Sequence, residues 1–207
     1  MTTTASRFTN LKRVTALSGA GLLTAVGLAF AVPTSASAAT YTCNGKVATI
    51  VGSDRGEEIR GTSGNDVIVG LAGNDEIDGY GGNDTICGNA GNDEIDGGSG
   101  SDWLQGGHGN DEIDGESGND TIYGSSGHDD LDGGSGNDRV DGYTGNDYLE
   151  GGSGADRLYG KAGADLLEGN SGSDKLSGGA GKDVTFHGGA TDRAEDAWER
   201  QYRGDDD

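Results

Sequence analysis

The sequence predicts an all-β protein in which short strands and tight turns stack along one axis as a solenoid. Three observations support this class. A nine-residue unit repeats fourteen times without a slip over residues 61–186. Every copy has glycine at places one and four and aspartate at place six, and thirteen copies have Ile, Leu or Val at place eight. A strict short period over more than half of a chain is typical of solenoids, whose coils pack on their neighbours.

Each place in the unit has a structural interpretation. The glycines at places one and four permit backbone with positive φ, which predicts a tight turn. Places seven to nine predict a three-residue strand whose apolar middle residue points inward while its mostly polar flanks point outward. A single unit would bury almost nothing. Stacked units are therefore expected to form a coil with a thin aliphatic core.

The sixth-place aspartates are the candidate metal ligands. Stacking would arrange them in two columns, with neighbours about 5 Å apart at strand spacing. Like charges at this separation repel in a partly dehydrated turn, and no lysine or arginine recurs with the period. We therefore expect a cation between them. Carboxylate and carbonyl oxygens favour Ca²⁺, and the lack of paired Cys or His ligands argues against zinc. The candidates are Asp66, Asp75, Asp84, Asp93, Asp102, Asp111, Asp120, Asp129, Asp138, Asp147, Asp156, Asp165, Asp174 and Asp183.

The unit G-x-x-G-x-D-x-U-x, with U a branched aliphatic residue, resembles the nonapeptide of RTX, or hemolysin-type calcium-binding, proteins. The resemblance covers about 126 of the 207 residues (14 × 9). It implies a parallel β-roll, a β-solenoid in which two units make one turn of 18 residues. It also implies Ca²⁺ between a unit and the unit two places on, as for Asp66 with Asp84. The upper limit is then about 12 ions (14 − 2).

Two departures from the family pattern are visible. The second place is often not glycine, as at Tyr80 and Lys161, and such turns are expected to bind Ca²⁺ less well. In the last copy, Lys182 occupies the fifth place and Thr185 the eighth, which predicts a degenerate edge of the roll.

The N-terminal segment 1–38 is predicted to be a secretory signal peptide. The basic residues Arg7, Lys12 and Arg13 precede the apolar stretch 14–32, and an A-x-A cleavage site ends at Ala38. We expect cleavage near Ala38 and release of a secreted, extracellular protein. The alternative is a membrane anchor. It agrees less well with the small residues and the cleavage site that follow the apolar stretch.

Both flanks of the repeats are predicted to be caps. Residues 39–60 contain a degenerate repeat, in which Ile59 holds the eighth place while Glu57 replaces aspartate. Export favours a disulfide between Cys43 and Cys87, which would clamp this segment across the first turns. A reactive thiol is the alternative.

Residues 187–207 are interpreted as a C-terminal cap or tail. The pattern over residues 192–203 predicts a short capping helix, with Trp198 and Tyr202 covering the open end of the roll. The alternative is a frayed acidic tail.

The charge constrains partners. Loss of residues 1–38 removes three cations and no acids, so the net charge falls from −22 to −25 (11 − 36). A glycine-rich chain with this charge and few apolar residues should be disordered without a ligand. Twelve divalent ions would bring about +24 and nearly cancel it. The acidic balance argues against nucleic acid as a partner.

The two outer faces of the roll are predicted to differ. Alternate units go to opposite sheets, so one sheet carries outward acids in a ladder, beginning with Glu76 and Asp78. The other sheet carries Trp103, Tyr123 and Tyr159 on a face that is first neutral and aromatic and then basic, from Arg139 onward. The second face could hold an extracellular protein or a glycan, whereas the acidic ladder could simply be a solvated surface.

The leading functional hypothesis is a secreted calcium-binding protein in which Ca²⁺ is a structural ligand. The alternative is a calcium-rigidified adhesion or interaction module. Ice binding would need regular outward threonine columns, and the third place is instead mixed. An enzyme is not expected, since the flanks are too short for a catalytic domain and His108, His128 and His187 form no metalloprotease motif. Membrane insertion is not expected either.

Overall fold

The computed structural model describes residues 39–186, residue 188 and residues 193–194. Within these ranges the chain is all β and contains no helix. The predicted parallel β-roll is confirmed, and so is its turn of 18 residues. Ile77 pairs with Ile95 in one long sheet, and Ile86 pairs with Leu104 in the other.

The strands alternate between two long parallel sheets. Sheet I has the order β4-β6-β8-β10-β12-β15-β18-β21, and sheet II has the order β3-β5-β7-β9-β11-β14-β17-β20-β22. A narrow sheet β13-β16-β19 and an antiparallel pair β1-β2 complete the fold. The bounds in chain order are β1 Thr42–Cys43, β2 Lys46–Val47, β3 Ile50–Val51, β4 Glu58–Thr62, β5 Val67–Ala72, β6 Glu76–Tyr80, β7 Thr85–Ala90, β8 Glu94–Asp96, β9 Trp103–His108, β10 Glu112–Asp114, β11 Thr121–Ser126, β12 Asp130–Asp132, β13 Ser135–Gly136, β14 Arg139–Thr144, β15 Tyr148–Glu150, β16 Ser153–Gly154, β17 Arg157–Gly163, β18 Leu166–Glu168, β19 Ser171–Gly172, β20 Lys175–Gly181, β21 Val184–Phe186 and β22 Arg193–Ala194.

The core is a thin layer of aliphatic side chains between the two long sheets, with one side chain from each unit. The eighth-place residues from both sheets form a single cluster, and Ile50 of β3 packs against it. Because each unit contributes one core side chain, apolar burial per residue is low for a folded chain. The cluster consists of Ile59, Ile68, Ile77, Ile86, Ile95, Leu104, Ile113, Ile122, Leu131, Val140, Leu149, Leu158, Leu167 and Leu176.

Positive φ occurs at places two and four of the unit, rather than at places one and four as the sequence suggested. Gly91 and Gly145 at place four have φ of 143° and 152°. At place two even bulky residues adopt this conformation, with φ of 87° at Leu71, 72° at Tyr143 and 76° at Lys161. A left-handed conformation costs roughly 1–2 kcal/mol for a residue with a Cβ. These second places are therefore strained, and stacking between turns must hold them.

The N-terminal cap is a hairpin fixed by a disulfide. Strands β1 and β2 are joined by Asn44 and Gly45, whose φ values of 48° and 73° suit a tight two-residue turn. The predicted bond between Cys43 and Cys87 is confirmed, with a Cα–Cα distance of 5.8 Å. The buried Cys43 thereby ties the hairpin to β7 of sheet II.

The predicted C-terminal helix is wrong where the structure describes it. Arg193 and Ala194 form β22, which pairs in parallel with Lys175 and Leu176 of β20. The unpaired N–H and C=O groups at the edge of β20 explain this pairing, since an edge strand is a template for another strand. The rest of segment 192–203, including Trp198, lies outside the described residues.

Two further expectations concern the ends. At the degenerate edge, Thr185 is half-buried, whereas the eighth-place residues before it are fully buried. The predicted signal peptide 1–38 lies outside the described residues. Within the described ranges, no helix has the length and apolar character needed to cross a bilayer.

Replacing Leu167 by alanine should destabilise the roll by about 2–5 kcal/mol, because it leaves a cavity in a thin core where Leu167 is fully buried. Leu166 on the same strand points outward and is half-buried, so Leu166→Ala is the matched control and should cost much less. Denaturant unfolding of both variants under one set of solution conditions measures the difference. Equal losses would contradict the assignment of the core.

Candidate metal centre: two columns of buried aspartates

The structure brings the sixth-place aspartates together in the two predicted columns. Thirteen of them, from Asp66 to Asp174, are at most 8 % exposed, and Asp183 at the C-terminal edge is half-buried. A buried carboxylate needs hydrogen bonds or a counter-charge to offset its lost hydration. The hydrogen-bond partners of the two carboxylate oxygens therefore show whether a column needs a cation.

One oxygen of each carboxylate is used to join successive turns. The backbone N–H of Asp66 donates to Asp84 Oδ1 at 2.8 Å, and that of Asp120 donates to Asp138 Oδ1 at 2.8 Å. The same bond recurs along both columns, and at the N-terminal cap the N–H of Glu57 donates to Asp75 Oδ1 at 3.0 Å. These bonds fix the carboxylate planes but neutralise no charge.

The other oxygen is buried without a hydrogen-bond partner. In eleven of the fourteen aspartates, from Asp75 to Asp165, Oδ2 is inaccessible and makes no hydrogen bond. Leaving a buried acceptor unsatisfied costs about 1–3 kcal/mol, and more when it is charged. Such groups in a native structure call for an explanation, of which a bound ion is one. Two columns of bare oxygens are what a row of cations would require.

The first aspartate in the series is an exception. Asp66 Oδ2 accepts hydrogen bonds from the backbone N–H of Thr62 at 2.7 Å and from its hydroxyl at 2.8 Å. Thr62 occupies the second place of its unit and satisfies the oxygen that is bare elsewhere. The structure therefore supports a cation less strongly at Asp66 than at the aspartates that follow.

The first-place glycines make room for the bare oxygens. A Cβ added to Gly88 would lie 2.3 Å from Asp93 Oδ2 and 2.9 Å from the carbonyl oxygen of Gly106, one turn on. At Gly106, the added Cβ would lie 2.2 Å from Asp111 Oδ2. A carboxylate oxygen and a carbonyl oxygen thus border one space that any side chain would fill. Glycine is needed at this place for close approach, not for positive φ.

Burial also raises the pKa values of these carboxyl groups. Desolvation is the main cause, and the N–H donated from the preceding turn offsets part of it. It raises the pKa from 3.8 to about 7 for Asp120 and Asp156. The pKa rises to about 6 for Asp75, Asp102, Asp111, Asp129, Asp138, Asp147 and Asp165. At neutral pH the metal-free columns therefore carry a cost that a bound cation would relieve.

Side chains alone do not complete a site. Within the part of the chain that the structure describes, no group of three or more His, Cys, Asp or Glu side chains could hold a metal ion. Any cation in the columns must therefore take backbone carbonyl oxygens as further ligands. Carboxylates combined with carbonyls form the hard oxygen donor set of Ca²⁺, so the residues present fit this ion.

An asparagine ladder beside the columns was not predicted. Asn65 Oδ1 accepts from the backbone N–H of Asn83 at 2.8 Å, and Asn92 Oδ1 accepts from that of Asn110 at 2.9 Å. His128 takes one place in this ladder, where its Nδ1 accepts from the N–H of Asn146 at 2.8 Å. The recurrence of asparagine at place five of the unit is the sequence signal from which this ladder could have been predicted. This ladder joins the turns independently of the aspartates.

The comparison with protein families agrees with this geometry. Eight overlapping matches to the RTX calcium-binding nonapeptide repeat (4 copies) run continuously over residues 51–193, which is 143 of the 207 residues. The chain belongs to the RTX calcium-binding nonapeptide repeat family. These RTX repeats form a calcium-binding structural domain. A search of curated proteins found no match to the chain.

The outer faces of the RTX roll differ as predicted. In sheet I, Glu76, Glu94 and Glu112 stack in register, and Asp130 follows them. Like charges directly opposite each other destabilise a sheet. In sheet II, Trp103 stacks in register between Thr85 and Thr121, so this part of the face carries no acid.

Without metal, the roll should be more stable in acid than at neutral pH. A carboxyl group whose folded pKa is raised retains a proton that the unfolded chain releases. Its contribution is complete below about pH 3.8, the unfolded value, and is lost as the pH rises through about 6–7. We expect the β signal in circular dichroism, recorded in chelator, to grow from pH 8 to pH 4. Loss of β structure over that range would contradict this account.

Proposed function

We propose that this protein is a secreted calcium-binding protein whose repeats fold around Ca²⁺ as a structural ligand. The observation that carries the proposal is the series of eleven buried Asp Oδ2 atoms, from Asp75 to Asp165, that have no hydrogen-bond partner. In this proposal the sixth-place carboxylates of successive turns, together with backbone carbonyl oxygens, would hold Ca²⁺. The number of ions is at most about 12, which matches the doubly charged ions needed to offset a net charge near −25 (11 − 36).

A structural role is favoured over an enzymatic one. Among the described residues, the buried polar side chains are the column aspartates, Thr85 and Asp141. Thr85 accepts a hydrogen bond from Lys46 Nζ at 2.8 Å, and Asp141 pairs with Arg139 and Lys161. Each of these groups serves the stacking or the surface of the roll.

Two observations support secretion. The sequence of residues 1–38 has the basic, apolar and cleavage regions of a signal peptide. The disulfide between Cys43 and Cys87 is typical of oxidising, extracytoplasmic compartments. Millimolar calcium outside the cell would then favour folding after export, since extracellular calcium modules bind at roughly 0.1–1 mM.

A second candidate function is an extracellular interaction module. Its basis is the contrast between the acidic ladder of sheet I and the aromatic face of sheet II. In this view calcium makes the roll rigid, and sheet II presents a preformed surface to a partner.

Neighbouring aspartates provide a matched test of the calcium sites. Asp129 is buried with a bare Oδ2, whereas Asp130 is exposed on sheet I. Asp129→Asn and Asp130→Asn make the same change in charge and size. We expect Asp129→Asn to raise the calcium midpoint of folding about tenfold, which is about 1.4 kcal/mol, and to reduce the number of ions bound. Asp130→Asn should leave both nearly unchanged. Calorimetric titration and circular dichroism measure them, and equal effects would contradict the proposed ligands.

Secretion has its own test. The protein recovered from the culture medium should begin at Ala39, because the A-x-A site ends at Ala38. Mass spectrometry of the intact protein measures the N-terminus. Recovery only in the membrane fraction with residues 1–38 retained would contradict cleavage and favour an anchor.

A further inference from the structure

A shallow groove of about 470 Å³ crosses sheet II near the N-terminal hairpin. Its floor is aromatic, with Trp103 on β9, Tyr123 on β11 and Tyr143 on β14. These strands are successive neighbours in the sheet, and Trp103 is in register with Thr121 while Tyr123 is in register with Asp141, so the rings form a row that runs diagonally across the sheet. We infer that this groove binds an uncharged polysaccharide chain. The inference deepens the interaction-module candidate and rests on it.

The aromatic row offers ring faces to a ligand. The centroids of Trp103 and Tyr123 are 5.3 Å apart and those of Tyr123 and Tyr143 are 5.9 Å apart, with ring planes tilted by 53° and 50°. Because the rings are tilted, they do not cover one another as a parallel stack would. Tyr143 is 43 % exposed, and the other two rings are half-buried. Pyranose rings have apolar C–H faces that pack on such amphipathic rings.

Neutral hydrogen-bonding groups lie beside the aromatic row. Gln105 Nε2 donates to Ser125 Oγ at 3.1 Å, and Thr144 Oγ1 donates to the Ser125 carbonyl oxygen at 3.2 Å. These bonds hold the side chains in place while leaving further donor and acceptor capacity on the amide and hydroxyls. A second groove of about 430 Å³ shares Gln105 and Ser125 and continues the polar surface towards His108. An extended ligand with many hydroxyl groups suits this arrangement.

The charge around the groove selects against ionic ligands. None of its lining residues carries a formal charge, although the chain as a whole has a net charge of −22. A charged cluster on sheet II, in which Asp141 lies in register with Tyr123, is internally paired. Asp141 Oδ2 lies 2.6 Å from Arg139 Nη2, and its Oδ1 lies 3.5 Å from Lys161 Nζ. Both cations also lie 4.6 Å from the centroid of the Tyr159 ring. An acidic polymer would therefore meet a negative protein without an available basic partner in the groove.

The composition of the groove also favours a sugar over a protein ligand. The cores of protein interfaces are enriched in arginine and methionine beside their aromatic residues. The lining of this groove contains no arginine, no methionine and no aliphatic side chain. Aromatic, amide and hydroxyl groups remain, and they match the apolar faces and hydroxyl edges of a neutral sugar.

The N-terminal hairpin makes the groove a preformed site. Asn44 at the hairpin turn lines one end of the groove, next to Cys43, which is bonded to Cys87. Trp103 packs against the buried cluster formed by Cys43, Val69 and Cys87. The wall and the first ring of the row are therefore fixed to the same strands. A site that is already ordered loses little conformational freedom when it binds.

The test uses the purified protein with calcium present and a fixed set of probes. The neutral probes are microcrystalline cellulose, chitin, laminarin, dextran and yeast mannan. Polygalacturonate is the anionic probe, and collagen and fibrinogen are the protein probes. Trp103→Ser and Tyr123→Ser remove rings from the groove. Tyr80→Ser is the matched control, because Tyr80 is 47 % exposed and lies on β6 of sheet I.

We expect saturable binding to at least one neutral polysaccharide, with little dependence on salt. Binding should be at least about tenfold weaker in Trp103→Ser and in Tyr123→Ser, because aromatic anchors dominate such surfaces. It should be unchanged in Tyr80→Ser. Circular dichroism of each variant with calcium shows whether the roll is folded.

Three results would overturn the inference. They are binding to no neutral probe, binding to the anionic or protein probes alone, and neutral binding that is equal in the wild type and both groove variants. If the protein folds with calcium but binds no neutral probe, the polysaccharide inference is wrong and the proposed calcium-dependent folding stands. If the wild-type protein shows no calcium-dependent folding, it is the proposed function that fails.

Discussion

Burial of one carboxylate in every nine residues is the constraint on which the rest of this structure depends. The columns place each carboxylate directly above another, and the N–H groups of neighbouring turns satisfy only one oxygen of each, as at Asp84 Oδ1. The second oxygen, as at Asp84 Oδ2, is buried and bare. The core contributes only one aliphatic side chain per unit. Apolar burial therefore offsets little of the free-energy cost of burying a carboxylate oxygen without a partner. Folding of this RTX domain is therefore expected to be coupled to a cation.

The rest of the unit serves the same stacking. The first-place glycine leaves space beside the carboxylate, as at Gly88, and the fourth-place glycine supplies the positive φ of the turn, as at Gly91. Asparagine at place five adds a second chain of hydrogen bonds between turns, as from Asn110 to Asn92. All of these contacts join a turn only to its neighbours, which is typical of a solenoid. Filling one site should therefore order the adjacent turns and favour the next site.

The period predicted most of this architecture, because a strict repeat fixes phase, register and the stacking of like residues. The period could not show which glycines are needed for positive φ and which are needed because a Cβ would not fit. Both requirements appear in the sequence simply as glycine. The pattern placed Trp103 and Tyr123 on one face but did not predict the groove, because its wall at Asn44 belongs to a hairpin that precedes the repeats. Asn44 followed by Gly45 is a dipeptide that favours a two-residue hairpin turn, although no hairpin was predicted there. The helix expected at residues 192–203 failed at Arg193 because the open edge of β20 outweighed a local helical pattern.

Circular dichroism of the purified protein, titrated with Ca²⁺ and separately with Mg²⁺, tests the central claim most directly. The account predicts a largely disordered chain in chelator and a cooperative gain of β structure with Ca²⁺ at about 0.1–1 mM. Mg²⁺ at the same concentrations should have little effect, because it demands a rigid octahedral geometry and gives up its water reluctantly. A spectrum that is already rich in β structure in chelator and does not respond to Ca²⁺ would contradict the account. In that case the aliphatic core and the disulfide would hold the fold without the ion.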